Sequence, residues 1–201
     1  MFKPLLVLTL SAAVLAGCAE KGKESPQQAI EAAIYPHRGQ PKITLITMIN
    51  NRTGSGGHSA LLVQGTQSVM FDPAGSFEHD DVPERGDVLY GMSPRWIQVY
   101  KSAHARTNYH VVSQEFDVTP AQAARAMQLV QAYGSVPSAM CANATSSILK
   151  QIPGFQSIRQ GYYPLKLMEQ AEQLQGVKTT RYYEDDEGNV TDGIVAAVSP
   201  E

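Results

Sequence analysis

The stretch Gly54-Ser55-Gly56-Gly57-His58-Ser59-Ala60-Leu61-Leu62-Val63-Gln64-Gly65-Thr66-Gln67-Ser68-Val69-Met70-Phe71-Asp72 decides how the chain is read. A glycine-rich loop feeds the apolar run His58–Val63, and Gln64-Gly65-Thr66-Gln67 turns the chain back into Ser68–Asp72. Two β-prone runs separated by so few turn residues predict a hairpin. A three-residue loop, Gln64–Thr66, pairs residue 63 with 67 and hence His58 with Asp72. Their separation of 14 residues (72 − 58) is even, as a pair on one sheet face requires. A two-residue loop would instead pair His58 with Pro73 and send Asp72 to the other face.

Outward from the hairpin, Ile43–Ile49, Asp87–Tyr90 and Asn108–Val118 are further strand candidates. Helices are announced by their starts. Ser25-Pro26-Gln27-Gln28 has the capping-box pattern and predicts a short helix to about Tyr35. Ser93-Pro94 caps a segment through about Ala103 that carries Trp96, Val99 and Tyr100. Thr119-Pro120-Ala121-Gln122 repeats the capping box, with proline at the first helical position. Behind it Ala123, Ala126, Met127, Val130 and Tyr133 keep the spacing of one buried stripe. Ser138 begins a helix through Lys150, stopped by Pro153-Gly154. Pro164 opens another, with Leu167, Met168, Ala171 and Leu174 on one face, and a short strand closes the chain. This order predicts an α+β fold.

Composition sets the class. The chain has 201 residues, enough for one domain, and 43% of them are hydrophobic, which excludes a disordered polymer. Lys and Arg total 16 against 19 Asp and Glu, a net charge of −3. Phosphate binding needs a concentrated basic excess, so nucleic acid is not the expected partner. The two cysteines, Cys18 and Cys141, are too few for a disulfide framework, and each needs its own explanation.

Lys3 and an apolar run of 11 residues, Leu5–Leu15, have the length of a signal-peptide core, whereas a spanning helix needs about 20. The run ends in Leu15-Ala16-Gly17-Cys18, which resembles the lipobox of bacterial lipoproteins. By that resemblance, Cys18 becomes the first mature residue and is acylated on sulfur and amine, anchoring the chain to a membrane. The alternative is an ordinary signal in which Cys18 is incidental. Ala19 stands where an Asp would signal inner-membrane retention in enteric bacteria, so the outer membrane, periplasmic face, is the expected address. Without Lys3 the mature charge is 15 − 19, or −4. The expected organisation is a lipoprotein signal peptide over 1–17, a lipidated N-terminus and tether over 18–42, and one globular domain over 43–201. A flexible stretch of 24 residues, 19–42, would reach roughly 25–30 Å.

Cys141 falls in the first turn of the helix capped by Ser138. Unpaired N–H groups and the helix dipole favour an anion there, and a thiolate so placed has a lowered pKa. It also aligns with Thr145, Ile148, Leu149 and Ile152, so a small buried core residue is the alternative. An unpaired thiol in an oxidising compartment favours a working residue. A cysteine nucleophile needs a base and a group to orient that base. His58, behind Gly56-Gly57, stands where a substrate backbone could approach, and Asp72 is placed to orient it. His37, His79 and His104 lie outside this arrangement, the last two as solvated loop or helix-end residues. His110, on a strand, is the reserve base. A metal site from His58, Asp72, His79 and Cys141 lacks tight ligand spacing, and no metal or cofactor is expected.

Gly57-His58-Ser59-Ala60-Leu61, Met70-Phe71-Asp72 and Met140-Cys141-Ala142-Asn143 resemble, in this order, the circularly permuted papain-like superfamily. Its members include permuted NlpC-type hydrolases and relatives of lecithin–retinol acyltransferase. Gly86-Asp87-Val88-Leu89 also resembles the Gly-Asp strand of NlpC-type domains, although here it follows the histidine. The resemblance covers about residues 43–152. It implies a papain-like antiparallel sheet packed against helices, with Cys141 as nucleophile, His58 as base and Asp72 as orienting residue. The implied activity is thiol hydrolysis or acyl transfer on an amide or ester of a peptidoglycan peptide, a lipid or a protein. The competing expectation is a non-catalytic envelope lipoprotein that binds a wall component or protein partner, with Cys141 structural.

Overall fold

The computed structural model describes residues 23–199; the expected export signal and lipobox, with Cys18, lie outside the described residues. The elements are α1 (Gln27–Ala33), β1 (Lys42–Asn50), β2 (Gly56–Gln64), β3 (Ser68–Phe71), β4 (Glu84–Arg85), β5 (Val88–Tyr90), α2 (Pro94–His104), β6 (Tyr109–Asp117), α3 (Pro120–Tyr133), α4 (Cys141–Leu149), α5 (Pro164–Glu172), β7 (Lys178–Tyr182) and α6 (Val190–Val198). The seven strands form one sheet in the order β4-β5-β3-β2-β1-β6-β7, and every pairing is antiparallel. The fold is α+β. Among the described residues no helix is long and apolar enough to cross a membrane.

Helices cover both faces of the sheet. Ile43, Leu45, Leu61, Val63 and Phe71 pack with Ala126 and Val130 of α3, Ile148 of α4 and Leu167 of α5. Ile46, Met48, Ala60, Leu62 and Met70 pack with Val99, Tyr100 and Ala103 of α2 and Ile194 of α6. Two-sided burial explains why β1 is buried at all seven interior positions, including Thr44 and Thr47, instead of alternating between core and solvent. The helix starts follow the capping chemistry. The Ser93 hydroxyl accepts from the Trp96 amide, and Thr119 and Gln122 exchange both capping-box bonds.

Three expectations are corrected. The hairpin loop is Gly65–Gln67, with Gln64 opposite Ser68 and Val63 opposite Val69, so His58 is not directly across from Asp72. The cause is tertiary: the Ser68 amide donates to the Tyr35 carbonyl and the His37 amide to Thr66, while Pro36 bridges Gln67, which fixes where the strand turns. For the same reason residues 25–41 are not a free tether. Ile30 is in the core, the Ser25 amide donates to the Glu84 carbonyl, and the Ser25 hydroxyl accepts from the Glu84 amide instead of capping α1. Finally, Ser138 does not cap α4. Ala139 has a left-handed φ of 65°, Met140 is the N-cap, and Cys141 is the first helical residue. The C-terminal helix α6, headed by an Asn189–Asp192 capping box, was not anticipated from the sequence.

Candidate active site

β3 stops at Phe71, opposite Leu61, so residues 56–60 of β2 have no partner on that side. Into this gap the chain after Phe71 folds back, and Asp72 turns its carboxylate onto His58. Asp72 Oδ1 lies 2.7 Å from His58 Nε2 and accepts a second hydrogen bond from the Tyr100 hydroxyl at 2.6 Å. The even separation of His58 and Asp72 survives the register shift, so the side chains meet diagonally rather than straight across. The backbone around Asp72 is held from two sides. Its amide donates to the Asp87 carbonyl, and its carbonyl accepts from the Gly75 amide. A Cβ on Gly75 would stand 1.8 Å from Asp72 Oδ2, so only glycine lets the loop close over the carboxylate.

Asp87 is a clamp and not a member of the site. At a left-handed φ of 61° it directs Oδ2 to the amides of Ala74 and Val136, each at 2.9 Å. One buried carboxylate thereby ties the loop that carries Asp72 to the segment that leads into α4.

Cys141 reaches the same gap from the opposite face, since α4 packs on β2. It lies close enough to His58 and Ser59 for both to stabilise its thiolate. Among the described residues the buried Ser59 hydroxyl has no hydrogen-bond partner. With Nε2 of His58 committed to Asp72, the nitrogen available to sulfur is Nδ1. No side chain caps α4, so the first-turn N–H groups keep their polarity for a charge at Cys141.

The electrostatics describe an ion pair. Burial pushes the Cys141 thiol up, but hydrogen bonding to His58, the charge of His58 and the Ser59 contacts outweigh it and leave the thiol below its ordinary range. For His58, burial acts to lower the value, while the Asp72 charge and hydrogen bond and the contact with Cys141 raise it to about 10. Asp72 is destabilised as an anion by burial, yet His58 and the Tyr100 hydroxyl hold its carboxyl below the usual range. Thiolate, imidazolium and carboxylate are the states these neighbours favour.

The structure brings together all three residues singled out as Cys141, His58 and Asp72. It does not recruit the others. His110 bonds to Asn51 at 2.7 Å and stacks on Tyr183, and His79 packs on Trp96, so neither the reserve base nor the four-residue metal set is assembled. Among the described residues no group of three or more His, Cys, Asp or Glu is arranged to hold a metal ion. Gly56 and Gly57 admit neighbouring protein atoms. A Cβ on Gly56 would stand 2.4 Å from the Leu165 amide, and one on Gly57 would stand 2.6 Å from the Tyr109 ring.

His104 is a correction. It is 8% exposed, not solvated, and its Nδ1 bonds to the Tyr100 carbonyl at 2.8 Å. Its ring lies parallel to that of His58 with centroids 6.2 Å apart. Burial lowers it to about 4, so it stays neutral beneath the charged His58. Tyr100 and Ser59 are site residues that sequence reasoning missed altogether. Tyr100 and His104 extend the Trp96–Ala103 stripe at helical spacing, and two polar-tipped aromatic side chains on a buried face were the available signal.

No protein-family model matches the chain, and no curated protein and no solved structure matches it.

Proposed function

We propose that the protein is an envelope lipoprotein, anchored by acylation of Cys18, whose Cys141, His58 and Asp72 perform thiol hydrolysis or acyl transfer on an amide or ester. The observation that carries this reading is that Asp72 holds His58 through Nε2 at 2.7 Å beside the thiol at the head of α4, whose thiolate His58 stabilises. The fold in this reading is a circularly permuted papain-like one, supported by the chain order of histidine strand, carboxylate and helix-heading cysteine.

In this mechanism the Cys141 thiolate attacks a carbonyl carbon and forms a tetrahedral adduct. N–H groups of the first turn of α4, that of Cys141 among them, stabilise its oxyanion. His58 gives its proton to the departing nitrogen or oxygen as the C–N or C–O bond breaks, leaving an acyl thioester. Water or another acceptor then attacks, returns a proton to His58 and releases the thiolate. Peptidoglycan peptides, acyl lipids and protein amides are the substrate classes within reach of an envelope anchor. A net negative charge gives no steering towards anionic lipid or glycan.

The test is alkylation of native protein by iodoacetamide at pH 6. Rapid modification of Cys141, lost in His58→Ala, is the expected result. Modification only after denaturation overturns the reading and leaves a non-catalytic binding lipoprotein with Cys141 as a core residue. Incubation with purified peptidoglycan and with phospholipid, comparing wild type with Cys141→Ser, then sorts the substrate.

A further inference from the structure

We propose that the apolar hollow beside His58 is a subsite for a small, uncharged leaving group, and that Val190 of the C-terminal helix sets its size limit. The proposal rests on the acyl-chemistry reading of Cys141. The hollow measures about 260 Å³ and has His58 and His104 in its wall, with Gly57, Ala74, Tyr109 and Val190 around them. His58, which hands a proton to the departing atom, lines this space, and Cys141 does not. The occupant is therefore the part of the substrate that leaves, not the part that stays on sulfur.

Size and charge narrow the class. At about 30 Å³ per water-sized group, 260 Å³ holds roughly eight or nine such groups. That suits the whole of an amino-acid amide with a side chain as large as leucine and is too small for the whole of tryptophanamide. Among the described residues no carboxylate, lysine or arginine lines the space, and His104 is neutral, so a charged side chain finds no partner there.

Val190 is held as a wall by the segment that precedes α6. Arg106, 4% exposed, lies 3.2 Å from Asp186 and 3.7 Å from Glu184, and the Thr107 amide donates to the Asp186 carbonyl at 3.0 Å. Gly193 then lets α6 lie directly on α2, since a Cβ there would stand 2.7 Å from Ala103 Cα. These contacts fix the helix on both sides of Val190, so the wall does not yield to a larger guest.

The experiment forms an acetyl-enzyme and asks which amines enter where the leaving group departed. With p-nitrophenyl acetate, sulfur attacks the ester carbonyl, the C–O bond breaks as His58 gives its proton to the departing oxygen, p-nitrophenol leaves and then ionises in solution, and a thioester remains. An acceptor amine then attacks the thioester, the C–S bond breaks, sulfur departs as thiolate, and the amine proton passes to His58. The readout is the ratio of N-acetyl amino-acid amide to acetate for alaninamide, leucinamide and tryptophanamide. Being a ratio, it does not depend on how fast each variant acylates.

Leucinamide capture at least tenfold above tryptophanamide in wild type is expected. Val190→Ala should raise tryptophanamide capture severalfold, and Val190→Trp should lower leucinamide capture about tenfold. Ratios that are the same for all three amines, or unmoved in both variants, overturn the subsite. A wild type that gives no nitrophenolate burst fails earlier, and there the acyl-chemistry reading itself falls.

Discussion

The Tyr100 hydroxyl and His58 Nε2 both bond to the same oxygen of Asp72, at 2.6 and 2.7 Å, so one carboxylate oxygen fixes the histidine while a helix fixes the carboxylate. Asp72→Asn keeps the shape and removes the charge that holds His58 protonated. Alkylation of Cys141 at pH 6 should slow by about tenfold or more, recovering above about pH 8.5, where an ordinary thiol ionises. Tyr100→Phe should have a smaller effect on that rate and cost about 1–3 kcal/mol of stability in urea unfolding, because a buried oxygen loses a donor. Equal rates at pH 6 for Asp72→Asn and wild type would falsify the role given to Asp72.

Acid stability should depend on His104. An unfolded chain takes a proton on this residue at about pH 6.5, whereas the native protein resists until about 4. The unfolded state therefore binds more protons between these values, and stability falls as the pH drops from 6.5 to 4, by up to about 3 kcal/mol. His58, raised, contributes in full below 6.5 and does not add to this loss. His104→Gln should flatten the acid limb of a plot of urea midpoint against pH. An acid limb of unchanged slope in the variant would rule His104 out as its source.

Gly75 is the most constrained position near the site. Gly75→Ala places a methyl group on the Asp72 carboxylate, so it should destabilise by about 1–3 kcal/mol and slow Cys141 alkylation together. Gly161→Ala, where a Cβ meets nothing within 4 Å, should stay within about 0.5 kcal/mol of wild type. Thermal unfolding of the pair checks both.

Asp87 separates shape from charge. Asp87→Asn tolerates the left-handed backbone and still offers one oxygen to the Ala74 and Val136 amides, so it should cost under about 1 kcal/mol. Asp87→Ala strands both amides at a φ unsuited to alanine and should cost about 2–4 kcal/mol. Similar losses in the two variants would show that the carboxylate's negative charge, not its geometry, is what matters.

Arg106→Met should loosen the end of the chain before the rest. Amide hydrogen exchange of Thr107 and of α6 should accelerate at least tenfold, with β1 and β2 protected as in wild type. Uniform acceleration across all strands would mean instead that Arg106 supports the whole fold.

His58 and Asp72 were readable as one pair because parity along a hairpin is a local property. Their register was not, because Tyr35 and His37, some thirty residues upstream of Ser68, select the turn by backbone hydrogen bonds. Cys141 stood out through helix-start chemistry, yet the cap moved from Ser138 to Met140, since the Ala139 backbone turns left-handed first. Tyr100 and His104 were hidden for the opposite reason. Their apolar bodies satisfy the helix stripe, and the polar tips acquire meaning only when Asp72 arrives from the sheet. Gly193 and Asn189-x-x-Asp192 marked α6 only weakly, because glycine lowers helix propensity and its value here lies in contact with Ala103.

The anchoring of Ser25 to Glu84 shortens the leash. For a chain acylated at Cys18, seven residue steps separate the lipid from the first backbone contact with the sheet, at most about 25 Å fully stretched. If Cys141 acts as proposed, the domain then stays in a shallow zone above the bilayer, and a bond cut by Cys141 must come to the membrane surface rather than wait across the compartment.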